Sequence, residues 1–160
     1  MPKVAIIMGS QSDSGILKET VEVLKDFKID FEAKVLSAHR SPKDLATYVE
    51  GLEKRGIKII IAAAGGAAAL AGVIASYTTL PVIGIPIETK SLKGFDSLLS
   101  TVQMPPGVPV GCMSIGKWGA HNAAIYAVEI LALQDKSLKA LLQRHKKNMT
   151  IKIRKVKIKF

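Results

Sequence analysis

The sequence predicts an α/β domain built on a doubly wound, three-layer parallel sheet, and three observations carry that prediction. Short β-branched runs alternate with longer amphipathic stretches through the first 134 residues. The run Val4-Ala5-Ile6-Ile7 is apolar without interruption, as a central parallel strand covered by helices on both faces requires. A chain of 160 residues, 48% hydrophobic, is long enough to bury one core but short for two domains of ordinary size.

Taken in order, the first strand runs into Gly9-Ser10-Gln11-Ser12-Asp13, and a helix follows with Ile16, Leu17, Val21, Val23, Leu24 and Phe27 at helical spacing. Asp13 or Ser12 is expected to cap that helix. The alternating segment Phe31-Glu32-Ala33-Lys34-Val35-Leu36 predicts a half-covered second strand. Ser41 with Pro42 then starts a helix expected to reach about Arg55. A third strand is expected over 57–62, ahead of the small-residue stretch 63–69 and a short helix. A fourth strand is expected over 82–86, a helix over 97–102, a fifth strand over 108–115 and an apolar helix over 120–134. Periodicity leaves the strand order open. Ligands of such sheets sit beyond the carboxyl ends of the strands, which singles out the loops 9–13, 37–41 and 64–69.

Composition excludes several functions. No apolar run approaches the roughly 18–20 residues that span a bilayer, and the N-terminus has no export pattern, so the chain is expected to be cytoplasmic. The lone Cys112 reads as a small hydrophobe, Trp118 as a helix-start or interface residue, and His121 as a surface or interface histidine. There is no C-x-x-C, H-E-x-x-H, G-x-x-x-x-G-K-[ST] or G-x-G-x-x-G, so neither a metal nor a nucleotide cofactor is supported. The net charge of +10 belongs entirely to the tail. Residues 1–135 balance 13 basic against 13 acidic side chains, and the remainder has 10 basic and no acidic ones. The bulk of the chain is therefore not built to bind nucleic acid.

The three loops contain the chemistry. Ser10, Ser12 and the amides of the first loop suit a phosphate at a helix N-terminus, and Asp13 suits sugar hydroxyls. In Ser37-Ala38-His39-Arg40, a proton exchanger stands beside a permanent cation. Gly65-Gly66 permits close backbone approach to a ligand or, equally, tight helix-to-strand packing.

The motifs Met8-Gly9-Ser10-x-Ser12-Asp13, Ser37-Ala38-His39-Arg40-Ser41-Pro42, Ala64-Gly65-Gly66-Ala67-Ala68, Leu80-Pro81-Val82-Ile83-Gly84 and Asp96-Ser97-Leu98-Leu99-Ser100-x-Val102-Gln103-Met104-Pro105 occur in order. Together they resemble the bacterial N5-carboxyaminoimidazole ribonucleotide mutases, the PurE family, over roughly residues 3–133. The resemblance implies a flavodoxin-like subunit in a homo-octamer, with no metal or organic cofactor, acting in purine biosynthesis. It implies that Ser10, Ser12, Asp13 and Arg40 hold the ribose phosphate and that His39 is the general acid and base. Ser37, Ala38, Gly65, Gly66, Ala67 and Leu70 complete the substrate site, with backbone amides of the glycine loop pointing at the carboxylate.

Two departures stand out. Ala69 replaces a histidine that lines the family's pocket, which makes a ribonucleotide-binding protein impaired in catalysis one alternative. Another is direct carboxylation of aminoimidazole ribonucleotide by CO₂, but that class has Gly-Arg-Ser-Asn where this chain has Gly65-Gly66-Ala67-Ala68. The second departure is the tail. The expected organisation is a catalytic domain over 1–134, a helix over 135–149 packed on a neighbouring subunit, and a basic tail over 150–160. The near alternation of apolar and basic residues in that tail predicts an added strand or a frayed cationic end, either solvated or touching another subunit, in preference to a nucleic-acid or lipid contact.

Overall fold

The computed structural model describes residues 1 and 3–158. Strand β1 (Val4–Met8) is wholly buried and pairs in parallel with β2 (Phe31–Val35) on one side and β3 (Ile59–Gly65) on the other. Strands β4 (Val82–Ile87) and β5 (Gly111–Cys112) extend the sheet to the order β2-β1-β3-β4-β5. The chain thus leaves β1 toward one edge and returns to β1's other side as β3. Met8 is level with both Val35 and Ala63, so the loops after these three strands emerge side by side.

The helices are α1 (Ser14–Asp26), α2 (Pro42–Glu50), α3 (Leu70–Ser76), α4 (Phe95–Val102), α5 (Lys117–Ala132) and α6 (Lys136–Arg154). Alternate residues of the central strands feed two cores. Val4, Ile6, Ile59 and Ile61 pack with Leu17 and Leu24 of α1 and with Ala120, Ala123, Ala124 and Ala127 of α5. Ala5, Ile7 and Ile60 pack with Leu45 and Val49 of α2 and with Leu70 and Ile74 of α3. The alanine face of α5 lets α1 approach closely, and the buried Thr20 hydroxyl donates to Ala120 C=O at 2.8 Å across that seam. At the sheet's edge, Glu32 of β2 accepts hydrogen bonds from Tyr48 (2.6 Å) and Arg55 (2.7 Å). Burial pushes the Glu32 carboxyl up, but these two donors outweigh it and hold the group below its usual range.

Several expected boundaries are corrected. The cap ahead of α1 is Ser10, whose side chain accepts from Ser12 N–H at the head of a 3₁₀ turn over Gln11–Asp13; Asp13 precedes α1 without capping it. Helix α2 stops at Glu50, and a separate 3₁₀ turn over Glu53–Arg55 ends at Gly56, in the left-handed region at φ +86°. Strand β3 begins two residues later than expected and carries on through Gly65, because its alanines and glycine stay paired with Ile85, Pro86 and Ile87 of β4 despite their low strand preference. The fifth strand shrinks to two residues: Pro109 has no N–H to offer a ladder, although Met113 and Gly116 still donate singly to Gly84 and Pro86 carbonyls.

The tail differs most. Asp135 caps α6 through both Ser137 and Leu138 N–H, and the helix runs to Arg154 instead of ending near 149. No glycine or proline interrupts it, and each added residue extends a nucleated helix at little cost, which overrides the local alternation. Lys159 and Phe160 lie outside the described residues. Met149 and Ile153, at i and i+4 on α6, are 48% and 75% exposed, so an apolar stripe that begins at buried Leu138 and Leu142 continues toward the helix end, and Val156 just beyond it is 66% exposed.

Candidate active site

A cavity of about 370 Å³ opens at the carboxyl ends of β1, β2 and β3. That volume is in the range of small-molecule sites, roughly 300–1,000 Å³. Its lining includes Ser10, Asp13, Ser37, Ala38, His39, Arg40, Gly65 and Leu70 among the residues singled out from sequence, together with Ala69. Ser12, Gly66 and Ala67 do not line it. Ser12, within the first loop, has its hydroxyl 2.9 Å from Ser10 Oγ and 3.3 Å from Asp13 Oδ1; it can donate to the carboxylate while accepting from Ser10.

The first two loops are tied together by Arg40. Its Nη2 donates to Gly9 C=O at 2.9 Å, and its backbone N–H donates to Ser37 Oγ at 3.1 Å. Ser41 closes the second loop by accepting from Ser37 N–H at 3.0 Å and donating to Ser37 C=O at 3.2 Å. The guanidinium is therefore aimed along the cleft while most of its donors stay unused by these bonds, as an anion clamp requires. His39 is exposed at the same opening, on a loop whose ends are fixed by Ser37, Ser41 and Pro42.

Asp13 is the buried acid of the site, 8% exposed. Desolvation raises its carboxyl above the ordinary value of 3.8, against the opposing pull of Ser12, Ser10 and the Arg40 charge. Vicinal sugar hydroxyls are suited to such a group, because they add donors to a carboxylate that burial has stripped of water.

The third loop departs from expectation. Gly66 N–H does not point toward a ligand; it donates to Ser97 Oγ of α4 at 2.9 Å. Ser97, with Asp96 and Thr89 beside it, is the part of the neighbourhood that residue-by-residue reading missed. Ser97 stood inside the motif Asp96-Ser97-Leu98-Leu99-Ser100, but a serine in the first turn of a helix needs no special explanation, so the motif gave it no role. Cys112 is half-buried and takes no part, and burial raises its thiol. Trp118 stands 82% exposed at the start of α5. Among the described residues no three His, Cys, Asp or Glu side chains are grouped to hold a metal ion, and no helix is long and apolar enough to cross a membrane.

A sequence profile of the family described as AIR carboxylase matches residues 3–152. This chain belongs to that family. Among relatives, it is 54% identical over 149 residues to the N5-carboxyaminoimidazole ribonucleotide mutase of Pyrococcus abyssi, covering 93% of this chain and 84% of that one. The mutase of Bacillus subtilis is 51% identical, covering 92% and 91%. The crystal structure of Treponema denticola PurE superposes with a TM-score of 0.85 at 28% identity, covering 96% of this chain and 94% of the other. The AIR carboxylase family thus accounts for the parallel five-stranded subunit and for α6 up to residue 152; the last residues of α6 and the segment after it lie beyond the match.

Proposed function

We propose that this protein is an N5-carboxyaminoimidazole ribonucleotide mutase of purine biosynthesis, an isomerase that moves a carboxylate from nitrogen to carbon on a phosphoribosylated imidazole. The observation that carries the reading is the convergence of His39, Arg40, Ser10 and Asp13 on one cavity in a chain about half identical to proteins of that name. Ser10 and Arg40 hold the phosphate, Asp13 the ribose hydroxyls, and Ser37, Ala38, Gly65 and Leu70 surround the base, while Ser12, Gly66 and Ala67 support these loops from outside the cavity.

His39 then serves both proton transfers. When the N–CO₂ bond breaks, its electron pair stays on nitrogen and takes a proton from the His39 imidazolium, leaving CO₂ in the pocket. The ring carbon attacks that CO₂, and neutral His39 removes the proton from the same carbon, restoring the starting imidazolium. One side chain suffices because the proton given in the first step returns in the second. The pocket must stay closed between them, since lost CO₂ ends the reaction. No cofactor or metal is needed for these steps. We further propose that the enzyme is cytoplasmic and a homo-oligomer, an octamer, with α6 packed on a neighbouring subunit. Exposed Phe95, Leu99 and Trp118 support subunit contacts, and light scattering measures the number of subunits.

A mutase assay with the purified protein and its His39→Asn variant tests the reading. Turnover in the parent, reduced by His39→Asn by about a hundredfold or more, is expected for loss of a general acid-base group. A second reading, ribonucleotide binding without turnover, turns on Ala69, whose methyl lines the cavity where the resemblance implies a histidine, although the similarity to the mutases does not favour it. Saturable binding by a parent that never turns over identifies that case.

A further inference from the structure

Ser97 sits on α4 outside the cavity and is fully buried. Its hydroxyl joins two backbone groups beyond the end of the regular ladder. It accepts from Gly66 N–H at 2.9 Å and donates to Ile87 C=O at 2.7 Å. The directions are forced, because an N–H can only donate and a carbonyl can only accept. Gly65 and Ile87 are the last paired residues of β3 and β4, and the chain turns away at Gly66 with φ +68°. Ser97 therefore adds one side-chain rung where the backbone rungs stop.

That rung is itself anchored. Thr101 Oγ1 donates to Ser97 C=O at 2.7 Å, and the neighbouring Asp96 carboxylate accepts the Thr89 hydroxyl at 2.9 Å. The loop in front of it has few other fixings. Its residues are alanine and glycine, Ala68 adopts φ +26°, and Ala68 N–H reaches Gly65 C=O only at 3.4 Å. Ala64, Gly65, Ala68 and Ala69 of this loop face the cavity. A wall without polar side chains is thus held in place by a hydroxyl behind it.

We propose that Ser97 is a positioning residue that sets where the wall formed by Gly65 to Ala69 stands opposite His39, and so how tightly the site closes on the one-carbon fragment during transfer. The proposal rests on the mutase reading. The phosphate end of the cleft is organised by Arg40, Ser37 and Ser41, none of which bonds to Ser97. Loss of the clamp is therefore confined to the transfer step.

The experiment compares the parent with Ser97→Ala and Ser97→Thr, recording kcat, KM, thermal midpoint and the fraction of turnovers that end as decarboxylated aminoimidazole ribonucleotide. For Ser97→Ala, kcat is expected to fall about ten- to a hundredfold, as for displacement of a reacting fragment by about 1 Å. KM should stay within about threefold, because uniform binding is untouched, and the decarboxylated fraction should rise. Ser97→Thr, which keeps the hydroxyl, should recover most of the partition. Unchanged kcat and partition in Ser97→Ala overturn the proposal, as does a loss that Thr fails to rescue and that tracks the thermal midpoint. In the ligand-free parent, amide exchange at Gly66 is expected to be slower than at Ala67, and equal rates overturn the clamp without reference to activity. A parent that does not turn over sinks the mutase reading and the assigned role together, and the exchange rates alone then decide whether the clamp exists.

Discussion

At the scale of single residues, Asp13 sets binding against folding. Its carboxyl is raised above 3.8, chiefly by burial, so the folded protein holds a proton there more firmly than the unfolded chain does. Stability from this group is present at low pH and is lost as pH rises from 3.8 through the raised value. Asp13→Asn should remove that loss. The thermal midpoint of the variant, measured against the parent from about pH 4 to pH 7, is expected to gain on the parent as pH rises, while ribonucleotide affinity falls. A variant whose midpoint does not gain on the parent as pH rises overturns this assignment. Ser10, Asp13, His39 and Arg40 were legible from sequence because polar side chains directly after apolar strands have few structural duties. Ser97 was not, and neither was the direction of the Gly66 amide, since both depend on where β4 and α4 lie relative to the third loop.

At the scale of elements, close approach decides what glycine must do. Gly84 lies mid-strand in β4, where a Cβ would collide with the Thr101 side chain of α4 and come within 3.1 Å of Val110 Cγ1. Gly84→Ala should cost about 1–3 kcal/mol, the usual range for overpacking, read as a lower urea midpoint. Adding Thr101→Ala should recover at least part of that loss, and no recovery shows the collision lies elsewhere. Buried strands such as β1 and β4 announce themselves by uninterrupted apolar runs. Ends are harder to read: the fifth strand was cut short by the donor missing at Pro109, and α6 was prolonged past its alternating pattern by a helix already nucleated at Asp135. The strand order also escaped periodicity, because adjacent buried strands carry the same residue types whichever neighbour they take.

Across the whole molecule, charge is segregated. A body of 135 residues with no net charge is followed by a segment with 10 basic and no acidic side chains, seven of the basic ones on α6; one of them, Lys146, pairs with Glu129 at 3.1 Å. Deleting the residues after Asn148 should lower the salt needed to elute the protein from an anionic matrix. It should change the stability of an isolated subunit by no more than about 0.5 kcal/mol, as for exposed surface changes. A larger fall, accompanied by a smaller oligomer in light scattering, would mean that the exposed Met149 and Ile153 stripe, with Val156 beyond it, is covered in the assembly. The segregation of charge was legible because a run without any acid is visible at a glance; that one helix would carry it from the core at Leu138 and Leu142 out to Arg154 was not.

The strand order also separates where chemistry is written from where durability is written. Every residue lining the cavity falls within the first 70, whereas α5, whose Ala120 carbonyl receives Thr20 from across the chain, comes after residue 116. During synthesis the reactive loops emerge first but have no lasting shape until the distant alanine helix docks, since contacts so far apart in sequence form late. Substitutions that only loosen α5 against α1 therefore reach catalysis chiefly by lowering the amount of folded enzyme.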